Sequence, residues 1–377
     1  MSFAKTLDQE NELLKVGFLA DSFSKRAKQI DESGEFPHQN IRDLIKAGYT
    51  TLTLGTEFNG KEISLYELLL YQERLARGCG STALAIGWHL GIIMDLHEKR
   101  PWDKHLFNDI MFEVSKGALL NRAASEPHTG SPTRGGRPQT SAKKEGDKWC
   151  INGRKTFTTM AKALDIFLVT ASIEGESDIG EFLIRRDIKG VEIKENWDTI
   201  SMRGTGSHDL VLNNVKVDDK FLVEVKSPQK ESNGWLLHIP ACYLGIAQAA
   251  RNYAVQFSKT YSPNSLSGPI MDLPNVQRLI GKMEIELMQA RHFLFSVAEK
   301  WDNYDNRNEM SAELAAAKYV ATNTAVSVVD YAMRIVGSKS LFKDNPLQRY
   351  YRDVRAGLHN PPMDDMTISL LAKKALE

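Results

Sequence analysis

At 377 residues the chain exceeds what one ordinary core fills, so two or three domains are expected. Hydrophobic residues at 42% and charged residues at 25% give a globular balance, and 48 basic against 48 acidic side chains remove the basic surplus that a nucleic-acid binder needs. Three distant cysteines (Cys79, Cys150 and Cys242) form no disulfide framework, no Cys/His spacing suits zinc, and no apolar run approaches the ~20 residues of a membrane span. The N-terminus has no apolar core of the kind a signal peptide carries, so a cytoplasmic protein is expected.

The first third reads as helices. Residues 11–29 place Leu13, Leu14, Val16, Phe18, Leu19 and Phe23 on one broad apolar stripe at helical spacing. Phe36-Pro37 opens a second helix over 39–47, with Ile41, Leu44 and Ile45 inward. Residues 64–77 form a third, and 81–95 are apolar almost all round, as in a helix buried between others. From about Leu119 the segments become short, alternating and punctuated by Gly, Asn and Asp. Residues 148–157 read as a β-hairpin turning at Asn152-Gly153, and 166–171, 180–184 and 209–217 read as strands. After a polar link over 226–233, long amphipathic helices are predicted over 235–258, 273–302 and 311–336. The expected class is therefore α+β and multidomain: a helical domain over 1–118, a β-barrel-like domain over 119–225 and a four-helix bundle over 226–377.

Three segments carry more chemistry than packing requires. Residues 125–136, Ser125-Glu126-Pro127-His128-Thr129-Gly130-Ser131 and onward, form a polar Gly-rich loop whose amides and hydroxyls could bind a ligand, although an ordinary surface loop has the same composition. Lys155-Thr156-Phe157-Thr158-Thr159 sets hydroxyls beside an aromatic ring, but β-branched Thr also suits a plain strand. Arg352-Asp353 through His359-Asn360-Pro361-Pro362 follows a helix and exposes a His in a loop, as a catalytic residue or as a satisfied helix end. Gly204-Thr205-Gly206 precedes a strand and lacks a third glycine, so it is no dinucleotide fingerprint.

Taken in order, these segments resemble the acyl-CoA dehydrogenase superfamily over nearly the whole chain. The match includes Asn152-Gly153-x-Lys155-x-Phe157-x-Thr159, Met202-Arg203-Gly204-Thr205-Gly206-Ser207, Leu244-Gly245-Ile246-Ala247-Gln248 and Arg352-Asp353. The resemblance implies a flavin, with Ser125, Gly130 and Ser131 lining it, Phe157 against the ring and Thr159 facing N5. It implies a homotetramer, and an electron-transfer flavoprotein as partner if the reaction is dehydrogenation.

The sequence departs from that pattern where acyl-CoA dehydrogenation needs a carboxylate base. The two positions at which the family carries that Glu hold Pro361 and Trp235, leaving Asp364 or Asp365 as substitutes. The segments that hold the adenine half of FAD are replaced by Lys259-Thr260-Tyr261 and Gly337-Ser338-Lys339-Ser340, so FMN and FAD both stay open. Gly87-Trp88-His89-Leu90 and Leu358-His359-Asn360-Pro361 are instead similar to the two His-bearing segments of two-component flavin monooxygenases of the dibenzothiophene monooxygenase type. That likeness implies His89, His359 and Thr159 around the reactive flavin edge, reduced flavin from a flavin reductase, and oxygenation of a small organic substrate. An acyl-CoA dehydrogenase with a displaced base and a non-catalytic flavin- or acyl-binding protein are the alternatives. His89 lies on an apolar helix, where a core His bonded to backbone is the competing reading.

Overall fold

The computed structural model describes residues 3–130, 136–225 and 232–377. Ser131 and most of the polar link lie outside the described residues.

Five helices come first. α1 (Leu7–Ser33) is capped by Thr6 and buries Val16, Ala20, Phe23 and Ala27, a stripe of one residue per turn that faces α3 (Leu65–Ala76). The stripe is narrower than the sequence suggests: Leu14 and Phe18 sit on the opposite face, 64% and 76% exposed. α2 spans His38–Lys46. α3 starts in a capping box, with Ser64 and Glu67 satisfying each other's backbone N–H. α4 (Gly80–Lys99) is buried from Ser81 to Gly87 and from His89 to Leu96, as expected of a helix packed on all sides. α5 (Lys104–Ser115), capped by Asp103, was not predicted from the sequence.

The middle of the chain is one eight-stranded sheet: β1 (Leu120–Ala123), β2 (Ser141–Glu145), β3 (Lys148–Lys155), β4 (Ile166–Ile173), β5 (Ile179–Arg185), β6 (Val191–Lys194), β7 (Asp209–Asp218) and β8 (Leu222–Val225). Its order is β6-β7-β3-β2-β4-β5-β8, and β1 pairs in parallel with β4. Every residue of β4 is buried, which explains its unbroken apolar run.

The Asn152-Gly153 turn is a misreading. Both residues lie inside β3, and the chain reverses instead at Gly146-Asp147, between paired Glu145 and Lys148. At 151–153 the β3–β7 register shifts, and Asn214, at φ 49°, donates its N–H to Asn152 Oδ1 at 2.8 Å. Gly153 is required by crowding, since a Cβ there would lie 2.4 Å from Thr140 Oγ1.

The C-terminal bundle comprises α6 (His238–Thr260), α7 (Pro274–Asn303), α8 (Ser311–Val336) and α9 (Pro346–His359), with α10 (Asp364–Leu376) against α8. Here too the sequence reading needs correction: residues 352–359 are the last turns of α9, and His359 is its final helical residue, not a loop residue.

Candidate active site

The site is assembled from the chain that follows β3. Lys155 ends that strand with a fully buried side chain, and its Nζ bonds Glu126 Oε1 at 2.7 Å. Glu126 also accepts the backbone N–H of Gln139 at 2.6 Å and of Thr140 at 3.0 Å, and the Thr129 hydroxyl at 3.0 Å. Burial opposes its ionisation, yet Lys155 and these donors hold the carboxyl down at about 2. This buried ion pair pins the 125–130 loop beside the next segment, where Thr156 N–H donates to the Ser125 carbonyl at 2.9 Å. Gly130, at φ 71°, exchanges both backbone bonds with Glu126, so it shapes the loop and has no amide left for a ligand.

Beyond Lys155 the backbone is strained. Phe157, Met160 and Met202 hold φ values of 54°, 62° and 51°, which bulky residues adopt only when the surroundings force them. The force comes from pairing with the turn before β7: Thr158 N–H donates to the His208 carbonyl, Met160 N–H to Thr205 and Ala161 N–H to Gly206. The result pushes Phe157 outward, 63% exposed, with its ring edge-on to Trp197 at 5.8 Å. Trp197 is itself fixed, its backbone N–H on His208 Nδ1 at 3.0 Å and its indole N–H on the Met202 carbonyl at 3.3 Å.

Behind this aromatic ledge runs a chain of three hydroxyls. Thr205 Oγ1 donates to the Met202 carbonyl at 3.0 Å, Ser207 Oγ lies 2.9 Å from Thr205 Oγ1, and Thr159 Oγ1 lies 3.0 Å from Ser207 Oγ. Each hydroxyl has one proton, and a carbonyl can only accept. Thr205 spends its proton on Met202, so Ser207 must donate to Thr205 and Thr159 must donate to Ser207. Exposure rises along the chain, at 2%, 5% and 8% for Thr205, Ser207 and Thr159. The outermost hydroxyl therefore presents lone pairs and no free proton.

Arg352-Asp353 of α9 ties this turn to both helical regions. Asp353 Oδ1 accepts Met202 N–H at 2.7 Å, while Arg352 bonds Asp31 at the end of α1 at 3.0 Å and the Ile200 carbonyl at 2.6 Å. Burial lifts the Asp353 carboxyl to about 6, against the opposing Met202 bond.

The sequence-derived candidates are only partly united. Ser125, Phe157 and Thr159 lie on adjoining segments. His359 is exposed at the end of α9, and its side chain makes no hydrogen bond among the described residues. His89 turns both ring nitrogens to backbone groups. It is fully buried, its Nε2 donates to the Thr50 carbonyl at 3.1 Å, and its Nδ1 accepts Leu120 N–H at 3.2 Å. Both nitrogens are spent on backbone, and burial depresses the imidazole to about 4, which keeps it neutral.

Of the possible substitute bases, Asp364 lies 3.6 Å from Lys318 Nζ and accepts from Asn323 at 3.0 Å, whereas Asp365 is exposed. Sequence reasoning missed the donor roles of Thr205 and Ser207. Their signal was a hydroxyl pair in a Gly-rich turn, two residues apart.

An exposed aromatic face, a strained backbone around it and a hydroxyl acceptor at its rim suit a planar heterocycle with an N–H at its edge. Models of the acyl-CoA dehydrogenase N-terminal, middle and C-terminal domains match residues 16–99, 121–215 and 237–358. YdbM of Bacillus subtilis (strain 168), whose name places it provisionally among acyl-CoA dehydrogenases, is 57% identical over 373 residues, 98% of each chain. KijD3, solved with FMN and a dTDP-linked amino sugar, superposes with a TM-score of 0.87 at 22% identity, covering 99% of this chain and 95% of its own. Butyryl-CoA dehydrogenase of Megasphaera elsdenii superposes with a TM-score of 0.86 at 21% identity over 100% of both chains.

Proposed function

The chain belongs to the acyl-CoA dehydrogenase family, and from that premise we propose that it is a flavin-dependent monooxygenase taking reduced flavin from a partner reductase. Phe157 would support the flavin ring, Thr159 would face its N5 edge, and Ser125 with its loop would line the pyrimidine side; KijD3 makes FMN the first candidate. A bound flavin supplies two-electron chemistry, accepting hydride when oxidised or delivering electrons to dioxygen when reduced.

The observation that carries the reading is the direction of the hydroxyl chain. Thr159 offers lone pairs to whatever stands before it, and N5 carries a proton in the reduced flavin but a lone pair in the oxidised one. Thr159 therefore complements the reduced form. The residues at the two base positions, Pro361 and Trp235, accept no proton, which weakens the dehydrogenase reading further. His359 is proposed to handle protons from the end of α9, where its side chain is exposed. A homotetramer in the cytoplasm completes the proposal.

The second reading is an acyl-CoA dehydrogenase using Asp364 and an electron-transfer flavoprotein. It is favoured by the name of the 57% relative, but the Lys318 and Asn323 contacts already engage that carboxylate. An anaerobic test separates the two. Oxidised holoenzyme mixed with a panel of acyl-CoAs should keep its flavin colour, and reduced holoenzyme given oxygen and a small aromatic substrate should yield an oxygenated product. Bleaching by any acyl-CoA would establish the dehydrogenase instead.

A further inference from the structure

Side chains from α1, α3, α6 and α7 enclose two clefts of about 540 and 160 Å³, which share Phe3, Arg77 and Arg291 in their lining. None of the lining residues belongs to the segments around Phe157 and Thr159. The larger cleft combines an apolar wall of Phe3, Leu13, Leu14 and Leu70 with the guanidinium side chains of Arg74, Arg77 and Arg291. Phe3 is fixed there, its ring stacked on Phe295 at 4.7 Å and 4.4 Å from the Arg291 guanidinium. Leu14 is 64% exposed, so the apolar wall is open to solvent.

The cations that line the clefts differ in what they bind. Arg291 holds Glu73 through Nε at 2.7 Å and Nη2 at 2.9 Å, Arg251 holds Glu284, and Arg74 holds Asp21 at 3.0 Å. The Arg77 side chain makes no carboxylate hydrogen bond among the described residues. Its Nη2 donates to the neutral Gln248 Oε1, and Glu73 Oε2, 3.8 Å away, is already taken by Arg291. This joined pair carries two buried donors with no acceptor among the described residues, Arg77 Nε and Gln248 Nε2. Gln248 is 8% exposed and lines the smaller cleft, while Arg77 lines both. Burial above all holds the Arg77 guanidinium below its usual value, with Arg291, Arg74 and Arg251 adding to it against the pull of Glu73. Buried donors are normally paired, so two on one side-chain pair beside a cleft call for an acceptor from outside the chain.

We propose that the two clefts form a binding site for a monoanionic carboxylate with an apolar body, its head on Arg77 and Gln248 and its body along Leu13, Leu14 and Leu70. Two donors, one of them on a cation, select an oxyanion as the head. The charge selects a single negative one, because Arg77 alone among the lining arginines lacks a carboxylate hydrogen bond and Glu10, an exposed acid at the larger cleft, opposes a second. Phe3 and the leucines select an apolar body, which an inorganic anion lacks. Binding there requires no flavin, so the site stands independently of the oxygenation reading.

Isothermal titration of the full-length protein with octanoate, octan-1-ol and octyl phosphate tests this. Octanoate is expected to bind roughly tenfold tighter than octan-1-ol, and Arg77→Gln is expected to erase that preference. Equal affinities for the two overturn the proposal. Octyl phosphate binding at least as tightly as octanoate overturns it as well, since the site would then suit dianions. Unchanged octanoate affinity in folded Arg77→Gln protein overturns it too, because the ligand then sits elsewhere. If that variant does not fold, Leu14→Glu decides, since it alters an exposed position on the wall. A roughly tenfold loss of octanoate affinity supports the site, and unchanged affinity ends it.

Discussion

His89 and His238 are both fully buried, both lie where α4 packs, and both are kept neutral by burial, at about 4 and about 3. Their surroundings are opposite. His89 spends each nitrogen on a backbone group and so fastens α4 to β1 and to the turn at Thr50. His238 spends neither. A histidine in an apolar helix therefore says little by itself; its role follows from counting what each ring nitrogen touches.

The contrast is sharpest in stability. Replacing His89 with Leu strands the Thr50 carbonyl and the Leu120 N–H, so a loss of about 3 kcal/mol is expected in urea unfolding. Replacing His238 with Phe removes two unpaired atoms, and a gain of about 1 kcal/mol is expected in ligand-free protein. Equal losses in both variants would show that the two sites do not differ as described.

Acid should reveal the same pair. Unfolded histidines protonate near pH 6.5, whereas these two stay neutral in the fold down to about 4 and about 3. The unfolded chain thus binds more protons below pH 6.5. Their contribution is fully present above that pH and is lost as pH falls toward 4, by up to about 1.4 kcal/mol per pH unit for each histidine. Thermal melts across this window should show the decline, and His238→Phe should make it shallower; an identical slope would contradict the value assigned to His238. The smallest effect concerns the hydroxyl chain. In Ser207→Ala, Thr159 regains a proton to donate, and the preference for reduced over oxidised flavin should fall about fivefold, roughly the worth of one hydrogen bond.

Elements with a strong period were legible in the sequence. The predicted helix over 311–336 coincides with α8, and the apolar run at 166–171 sits within β4. Local chemistry misled where tertiary contacts overrode it. Asn152-Gly153 has the composition of a tight turn, but Thr140 packing on Gly153 and the Asn214 contact make it part of a continuous strand. Leu14 and Phe18 are apolar like the stripe, but helical geometry turns them to the opposite, exposed face. At the site, residue types were legible and connections were not. Thr159 stood out as a hydroxyl beside an aromatic ring, yet its donor direction depends on Ser207 and Thr205, which lie 48 and 46 residues away in sequence. His238 is one polar residue in an apolar run, and nothing local distinguishes it from a satisfied core histidine.

The direction of the Thr205–Ser207–Thr159 chain underlies the functional reading, and it can be measured without turnover. Anaerobic titration of the flavin-free protein with reduced and with oxidised FMN gives the two dissociation constants directly. Reduced FMN is predicted to bind at least tenfold tighter, about 1.4 kcal/mol. Oxidised FMN binding as tightly as reduced FMN, or more tightly, would contradict the account.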